Sequence, residues 1–304
     1  MNMPYRLSCY VRLELLDIIR MRGAEGCSKE VKHLMKRSVA FYERVKDSVY
    51  GKLSEQEIAE LLKFRYTPKL EQGSSVTLMS NLVSKEPMQT FLEEVKVELN
   101  APNLKVTASV FMKHFAFVVG IYLFALSSWN KRLCFSLDSL YIQSSKKEGN
   151  WLPEYYFKDL SIEEYTGNDR THWRDQAIQH LFRDIMNPVL NTLTTQGNIS
   201  KSILWENIAV YLHWLYEKLL DSEPESLAYE DYDFIVNQAP GKLFGPYERN
   251  PLQRYNTEPV YLSALNESIR IRKTCCFTYQ LGAKRTYCNT CPLYCKQFNT
   301  GKRN

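Results

Sequence analysis

The sequence predicts an α+β fold, predominantly helical, with a small antiparallel sheet and a cysteine-rich C-terminal region. Three observations carry that reading. Apolar residues recur at three- and four-residue intervals through most of the chain. A middle stretch, Arg132 to Gln143 followed by Glu154 to Leu160, instead alternates and is rich in aromatic and β-branched residues. Five of the eight cysteines fall between positions 275 and 295.

Taken in order, Tyr5 to Arg22 and Lys29 to Lys52 mix apolar and charged positions at helical spacing. Ser54 followed by Glu57 is a capping box that opens a helix through Ile58, Leu61 and Leu62. Gly73-Ser74-Ser75 punctuates the chain, and Pro87 stands near the start of a helix through Phe91, Leu92, Val95 and Val97. From about Thr107 to Trp129 the sequence is nearly apolar on all sides, as a helix buried among others should be. Arg132 to Gln143 reads as one strand or a hairpin, with Glu154 to Leu160 able to pair with it. Helical spacing returns after Asp169 and is bent or broken near Pro188. Lys201 to Leu220 forms a further helix. The acidic and then proline- and glycine-rich stretch from Asp221 to Pro259 predicts a lid or a linker. It delivers the chain to a short helix, Tyr261 to Arg270. These elements group as an N-terminal helical region (1–105), a central helical and small-sheet body (106–260) and a C-terminal region (261–304).

An apolar share of 44% and a charged share of 24% over 304 residues describe an ordinary globular chain with a sizeable core. The longest apolar stretch, Phe115 to Trp129, is 15 residues, whereas a membrane span needs roughly 20, so no integral membrane segment is expected. The N-terminal Met-Asn-Met-Pro-Tyr-Arg-Leu lacks the apolar run of a secretory signal, and the expectation is a cytoplasmic protein. A formal net charge of +5 does not call for nucleic acid. Its distribution is informative, because residues 268–304 contain eight Lys or Arg and no Asp or Glu; this end carries +8 and the remainder 5 − 8 = −3. There is no GxGxxG, P-loop or HExxH pattern, so nucleotide-dependent and zinc-protease chemistries have no signature here.

Chemistry concentrates in Arg272-Lys273-Thr274-Cys275-Cys276, eleven residues, and then Cys288-Asn289-Thr290-Cys291-Pro292. Four soft thiolates within 17 residues suit a metal or iron–sulfur site. Structural zinc competes, although its ligands normally come as two CxxC knuckles and the first pair here is an unspaced CC. Disulfides need an oxidising compartment. Cys295 follows Cys291 at i+4 and could reach the same metal on a helix, replacing Cys288.

The run Arg-Lys-Thr-Cys-Cys-Phe-Thr-Tyr, a glycine-containing turn and Tyr-Cys-Asn-Thr-Cys-Pro-Leu resembles the C-terminal signature of FhuF-like ferric-siderophore reductases. The intervening loop has eleven residues, one more than the family spacing. The resemblance implies that Cys275, Cys276, Cys288 and Cys291 ligate a [2Fe–2S] cluster, making 261–304 an iron–sulfur-binding region. It implies a one-electron reduction of a ferric siderophore that releases Fe(II), with no catalytic residue beyond the cluster. Trp205 and Asn207 loosely match a Trp and an Asn two residues on that precede the cysteines in that family. Arg270, Arg272 and Lys284, as a cationic rim for an anionic chelate, together with Lys113, His114 and Trp205, are the candidate substrate-binding residues. Electrons would come from a ferredoxin or a flavin reductase, since the chain has no dinucleotide fingerprint. A zinc-stabilised binding module and a non-catalytic relative of siderophore synthetases are the alternative readings.

Overall fold

The computed structural model describes residues 51–219, 226–263, 266–282 and 286–299. The helix expected over Tyr5 to Arg22, with Cys9 and Cys27, lies outside the described residues, as does that over Lys29 to Lys52 except for Gly51 and Lys52, which are not helical: Gly51 bridges Ile162. Helix α1 (Glu55–Leu61) opens with the expected capping box, in which the Ser54 hydroxyl accepts from the Glu57 amide and the Glu57 carboxylate accepts from the Ser54 amide. Helix α2 (Lys85–Glu98) carries Pro87 in its first turn, where no intrahelical donor is lost. It buries Met88, Phe91, Leu92 and Val95, one face at helical spacing.

The apolar run becomes α3 (Leu104–Trp129), capped by the Asn103 side chain at its start and by left-handed Asn130 at its end. By length and composition it could cross a membrane, yet most of its residues are buried against other parts of the chain. Against it pack α2, α6 (Lys201–Trp214) and, over a smaller contact, α5 (Asn187–Gln196), with α4 (Arg170–Gln179) preceding α5. A widened π-helical turn, His180–Met186, joins α4 to α5. Its cause is Pro188, which has no N–H for the carbonyl four residues back and whose ring crowds that carbonyl. The break expected near Pro188 is therefore a change of helical register within one run of helix.

The strand reading needs correction. Arg132 to Gln143 is not one strand or a hairpin on itself: it divides into β2 (Lys131–Cys134) and β3 (Leu140–Gln143). Ser136 and Ser139 form the corner between them through paired side-chain and backbone hydrogen bonds. β2 pairs antiparallel with β7 (Ser161–Glu164), while β3 lies between β1 (Val76–Leu78) and β6 (Glu154–Phe157). A short β4 (Lys146–Lys147) and β5 (Asn150–Trp151) close the turn between β3 and β6.

The lid or linker expected before Pro259 is not one where it is described. Residues 227–233 form α7 (Leu227–Asp233), continued by a π-helical turn, Phe234–Gln238. Asp231 is fully buried against Arg170 and Ser127. Ile235, Val236, Leu243, Phe244, Leu252 and Tyr255 join the same apolar core as Leu61 and Phe64, which spans both sides of position 105. Turn-forming residues predicted exposure, but the apolar residues between them are anchors. The short helix expected over Tyr261 to Arg270 is likewise a hairpin of β8 (Val260–Leu262) and β9 (Glu267–Ile269). Left-handed Asn266 stands at its turn, the two strands pair antiparallel with Val260 opposite Ile269 and Leu262 opposite Glu267, and Leu262 and Ile269 are the buried residues of the hairpin. These two residues cover α8 (Pro292–Asn299).

Candidate metal centre

The cysteine region docks on the polar positions of the two most apolar helices. On α3, Ser109 and Lys113 are one turn apart and face the same way. The Ser109 hydroxyl donates to the Cys276 carbonyl at 2.8 Å, and Lys113 Nζ donates to Thr278 Oγ1 at 3.0 Å. On α6, Glu206 and Asn207 are both buried. The Glu206 carboxylate accepts the amides of Lys273 at 2.6 Å and Thr274 at 2.7 Å, and also the Thr274 hydroxyl. Asn207 accepts from the Arg272 guanidinium at 2.6 Å and donates to the Ser109 carbonyl at 2.8 Å. The Arg272 amide in turn donates to the Thr290 carbonyl at 3.0 Å, tying the CC segment to the CxxC turn.

After the cysteine pair the chain reverses at Phe277, whose φ of 62° is left-handed, an uncommon conformation for a large residue. The reversal lets the Phe277 amide donate to Cys275 Sγ at 3.3 Å. Cys276 Sγ and Cys288 Sγ come within 3.7 Å of each other, and Thr278 Oγ1 lies 3.1 Å from Cys276 Sγ. Tyr279, Tyr287 and Tyr294 stack in sequence, with ring centroids 5.2 and 6.0 Å apart, and lace the loop to the CxxC turn and α8.

Electrostatics favour a thiolate in this pair. The hydrogen bond shared with Cys288 lowers the pKa of Cys276 most, and against the opposing effect of burial the charges of Lys113 and Arg272 and the Thr278 hydroxyl lower it further. Cys288, the donor, is correspondingly raised by that bond and by burial. Burial raises the Cys275 thiol, reinforced by the nearby Cys276 and Cys291, while the Phe277 amide opposes it. Cys295 is also raised, by burial and then by Cys291.

Two thiolates on one tetrahedral metal, each about 2.3 Å from it, stand about 3.8 Å apart. The 3.7 Å separation of Cys276 and Cys288 meets that spacing, and the donors are of the soft kind that zinc and iron–sulfur centres take. Cys275 and Cys291 lie within electrostatic range of each other. Among the described residues no three His, Cys, Asp or Glu side chains close around a common point, so the fit is that of a pair with further thiols beside it.

The other residues singled out from sequence are distributed differently. Lys113 lies at the cysteines. Arg272 lies beneath them, buried between Asn207 and Glu206, rather than on a rim. Arg270 pairs with Glu217 and reaches Asn256. Lys284 lies outside the described residues. His114 is turned to Arg65 and packs edge-on against Trp151; burial first, then Arg65 and Lys113, hold its pKa well below the usual histidine range. Trp205 is a core residue whose ring lies among Phe182, Phe244 and Tyr247 and whose indole N–H donates to the Tyr247 hydroxyl at 3.0 Å. Asn207 is part of the cysteine support. Cys295 Sγ is directed to the Asn289 carbonyl at 3.3 Å and packs with Leu262 and Ile269. Sequence reasoning missed Ser109 and Glu206. The available signal was a polar side chain amid an apolar run, Ser109 before Val110-Phe111-Met112 and Glu206 between Trp205 and Ile208.

Residues 147–263 match the family described as ferric iron reductase FhuF-like transporter. This segment is FhuF-like. The FhuF-like segment runs from within β4 to just past β8 and therefore contains Glu206 and Asn207, but it ends before Cys275. No curated protein matches the chain. Among solved structures, that of aerobactin synthetase IucC from a hypervirulent pathotype of Klebsiella pneumoniae is similar at a TM-score of 0.44 and 14% identity. The similarity covers 60% of this chain and 36% of the synthetase, so the chain spans about a third of that protein's length.

Proposed function

We propose that this protein is a ferric-siderophore reductase that acts in a reducing compartment, the cytoplasm, with Cys275, Cys276, Cys288 and Cys291 as ligands of a [2Fe–2S] cluster. The observation that carries the reading is the approach of Cys276 and Cys288 to 3.7 Å beside Lys113, in the segment that follows the FhuF-like match. A bound cluster of this type supplies single electrons at low potential. One electron turns Fe(III), held by hard charged oxygens, into Fe(II), which the same chelate holds far less tightly.

The chain's own residues contribute binding and electrostatics. Lys113 and Arg272 set two cations beside the cysteines, which stabilises an anionic centre and favours its reduced form. Lys273 is exposed, and the net +8 of residues 268–304 attracts an anionic chelate or an acidic electron carrier. Electron supply is assigned to a ferredoxin or a flavin reductase, each of which can deliver electrons singly.

The test is anaerobic purification followed by iron and sulfide analysis and visible spectroscopy. A red-brown protein that bleaches with dithionite, and recovers its colour on mixing with one or more of a panel of ferric siderophores, supports the reading. A colourless protein with one zinc per chain overturns it in favour of a zinc-stabilised module.

A further inference from the structure

We infer that the buried carboxylate of Glu206 is a positioning residue for the cysteine ligands, an inference that rests on the metal-site reading above. Its two oxygens take the consecutive amides of Lys273 and Thr274 and the Thr274 hydroxyl. Holding two successive peptide N–H groups on one fixed acceptor sets the backbone directly before Cys275, and with it the direction in which the CC pair leaves the strap. The same carboxylate lies 3.8 Å from the Arg272 guanidinium, both side chains being almost wholly buried. Arg272 is where the two cysteine segments meet: its amide bonds Thr290 inside the CxxC turn and its guanidinium bonds Asn207. Asn207 continues to Ser109, whose hydroxyl holds the Cys276 carbonyl. Glu206 is thus the fixed charge in a chain of contacts that reaches Cys275 through the strap, Cys276 through α3 and the CxxC turn through Arg272.

A neutral residue could fill the same volume, but it could not do the same task. A glutamine offers one acceptor oxygen where the strap presents three donors, and it turns an NH2 group towards them. It also leaves Arg272 without its counter-charge in a buried position. Both changes loosen the strap where ligand geometry is set.

The experiment uses the full-length chain, reduced and metal-free under anaerobic conditions, titrated with Co(II) as the probe. The sulfur-to-cobalt charge-transfer absorbance reports thiolate ligation, and the visible ligand-field bands report its geometry. Glu206→Gln is expected to weaken Co(II) binding by about 10- to 100-fold, the usual effect of removing a group that orients a ligand, and to shift the ligand-field bands. Glu217→Gln, which removes the surface partner of Arg270, is expected to stay within about twofold of wild type and to leave the bands in place. A folded Glu206→Gln protein with wild-type affinity and bands overturns the inference. If Glu206→Gln melts below the assay temperature, Thr274→Val decides. It removes one of the strap's bonds to Glu206 and leaves the pair with Arg272 intact; weaker Co(II) binding with shifted bands supports the inference, and unchanged binding overturns it. Wild-type protein without a charge-transfer band removes the metal-site reading itself, and this inference with it.

Discussion

Asp231→Asn tests whether the stretch after α6 is a locked part of the body. Asp231 has no solvent exposure. Its carboxylate takes both terminal nitrogens of Arg170 at 2.7 Å and the Ser127 hydroxyl at 2.8 Å. The asparagine keeps the shape but turns one acceptor into an NH2 group among donors and leaves Arg170 without a counter-charge. Removing one partner of a buried pair costs about 3–5 kcal/mol. Arg170 keeps 17% of its side-chain surface, and the remaining amide oxygen still accepts, so the expected loss is about 2–3 kcal/mol. At roughly 2–4 °C per kcal/mol for a chain of this size, the melting temperature falls by about 4–12 °C. Ser127→Ala, which removes a single bond to the carboxylate, costs about 1–2 kcal/mol. Circular dichroism melts and urea titrations read both. Arg170→Leu combined with Asp231→Leu should cost less than the sum of the single changes, because neither leaves a charge unpaired. A melting temperature within about 2 °C of wild type for Asp231→Asn would refute the reasoning and return α7 to the status of a movable lid.

The other predictions concern acid stability, close packing and ligation. Burial, reinforced by Arg132, holds the His180 pKa at about 3, and burial with the charge of Arg270 does the same for His213. The unfolded chain takes up these protons near pH 6.5, so stability present above that pH is lost progressively as the pH falls towards 3, at up to about 1.4 kcal/mol per pH unit for each histidine. Urea midpoints at pH 7.5 and 5.5 should differ accordingly, and equal midpoints would count against buried neutral rings. Gly241→Ala places a Cβ 2.3 Å from the Tyr247 carbonyl oxygen, a backbone atom that cannot swing aside; a loss of about 3 kcal/mol or more is expected, read as lower soluble yield and melting temperature. Cys275→Ser, Cys276→Ser, Cys288→Ser and Cys291→Ser should each lose bound iron, whereas Cys295→Ser, whose sulfur faces Asn289 and the β8–β9 hairpin, should retain it. Iron content per chain after anaerobic purification checks the series.

The parts of the fold that were legible from sequence are those set by local chemistry. The Ser54–Glu57 capping box, Pro87 in a first turn and the all-round apolar character of α3 each act within a few residues, and each appears as expected. The misreadings arose where distant partners decide. Phe135 to Ser139 could not announce a corner, because β2 and β3 separate to meet β7 and β1 or β6, which lie elsewhere in the chain. Tyr261 to Arg270 has too few apolar residues to distinguish periods of two and 3.6, and Leu262 and Ile269, seven apart, suit a helix as well; the antiparallel pairing of Val260–Leu262 with Glu267–Ile269 decides it. Prolines and glycines between residues 240 and 251 mark turns correctly, but Leu243 and Phe244 among them and Leu252 directly after belong to the core. At the candidate site the thiols were legible from their spacing; their support was not, because Glu206 makes its hydrogen bonds 67 and 68 positions along the chain.

That support also explains how the cysteine region finds one docking position. Its apolar contact with the body is small: Phe277 and Leu281 pack with Leu99, Ala101, Val106 and Val110 in a small cluster, and Phe277 also touches the edge of the main core. A smooth apolar patch of that size would tolerate a slide of one helical turn, since its packing is nearly the same before and after. The polar positions do not tolerate it. A slide would strand the Glu206 carboxylate, the Asn207 amide and the Ser109 hydroxyl in the interior, and each buried group left unpaired costs about 1–3 kcal/mol, more for the charge. The native hydrogen bonds add little net stability by comparison, but their loss raises every misdocked alternative by several kcal/mol. The polar residues within α3 and α6 therefore determine where Cys275 and Cys276 sit, while the apolar majority of both helices determines only that the body folds.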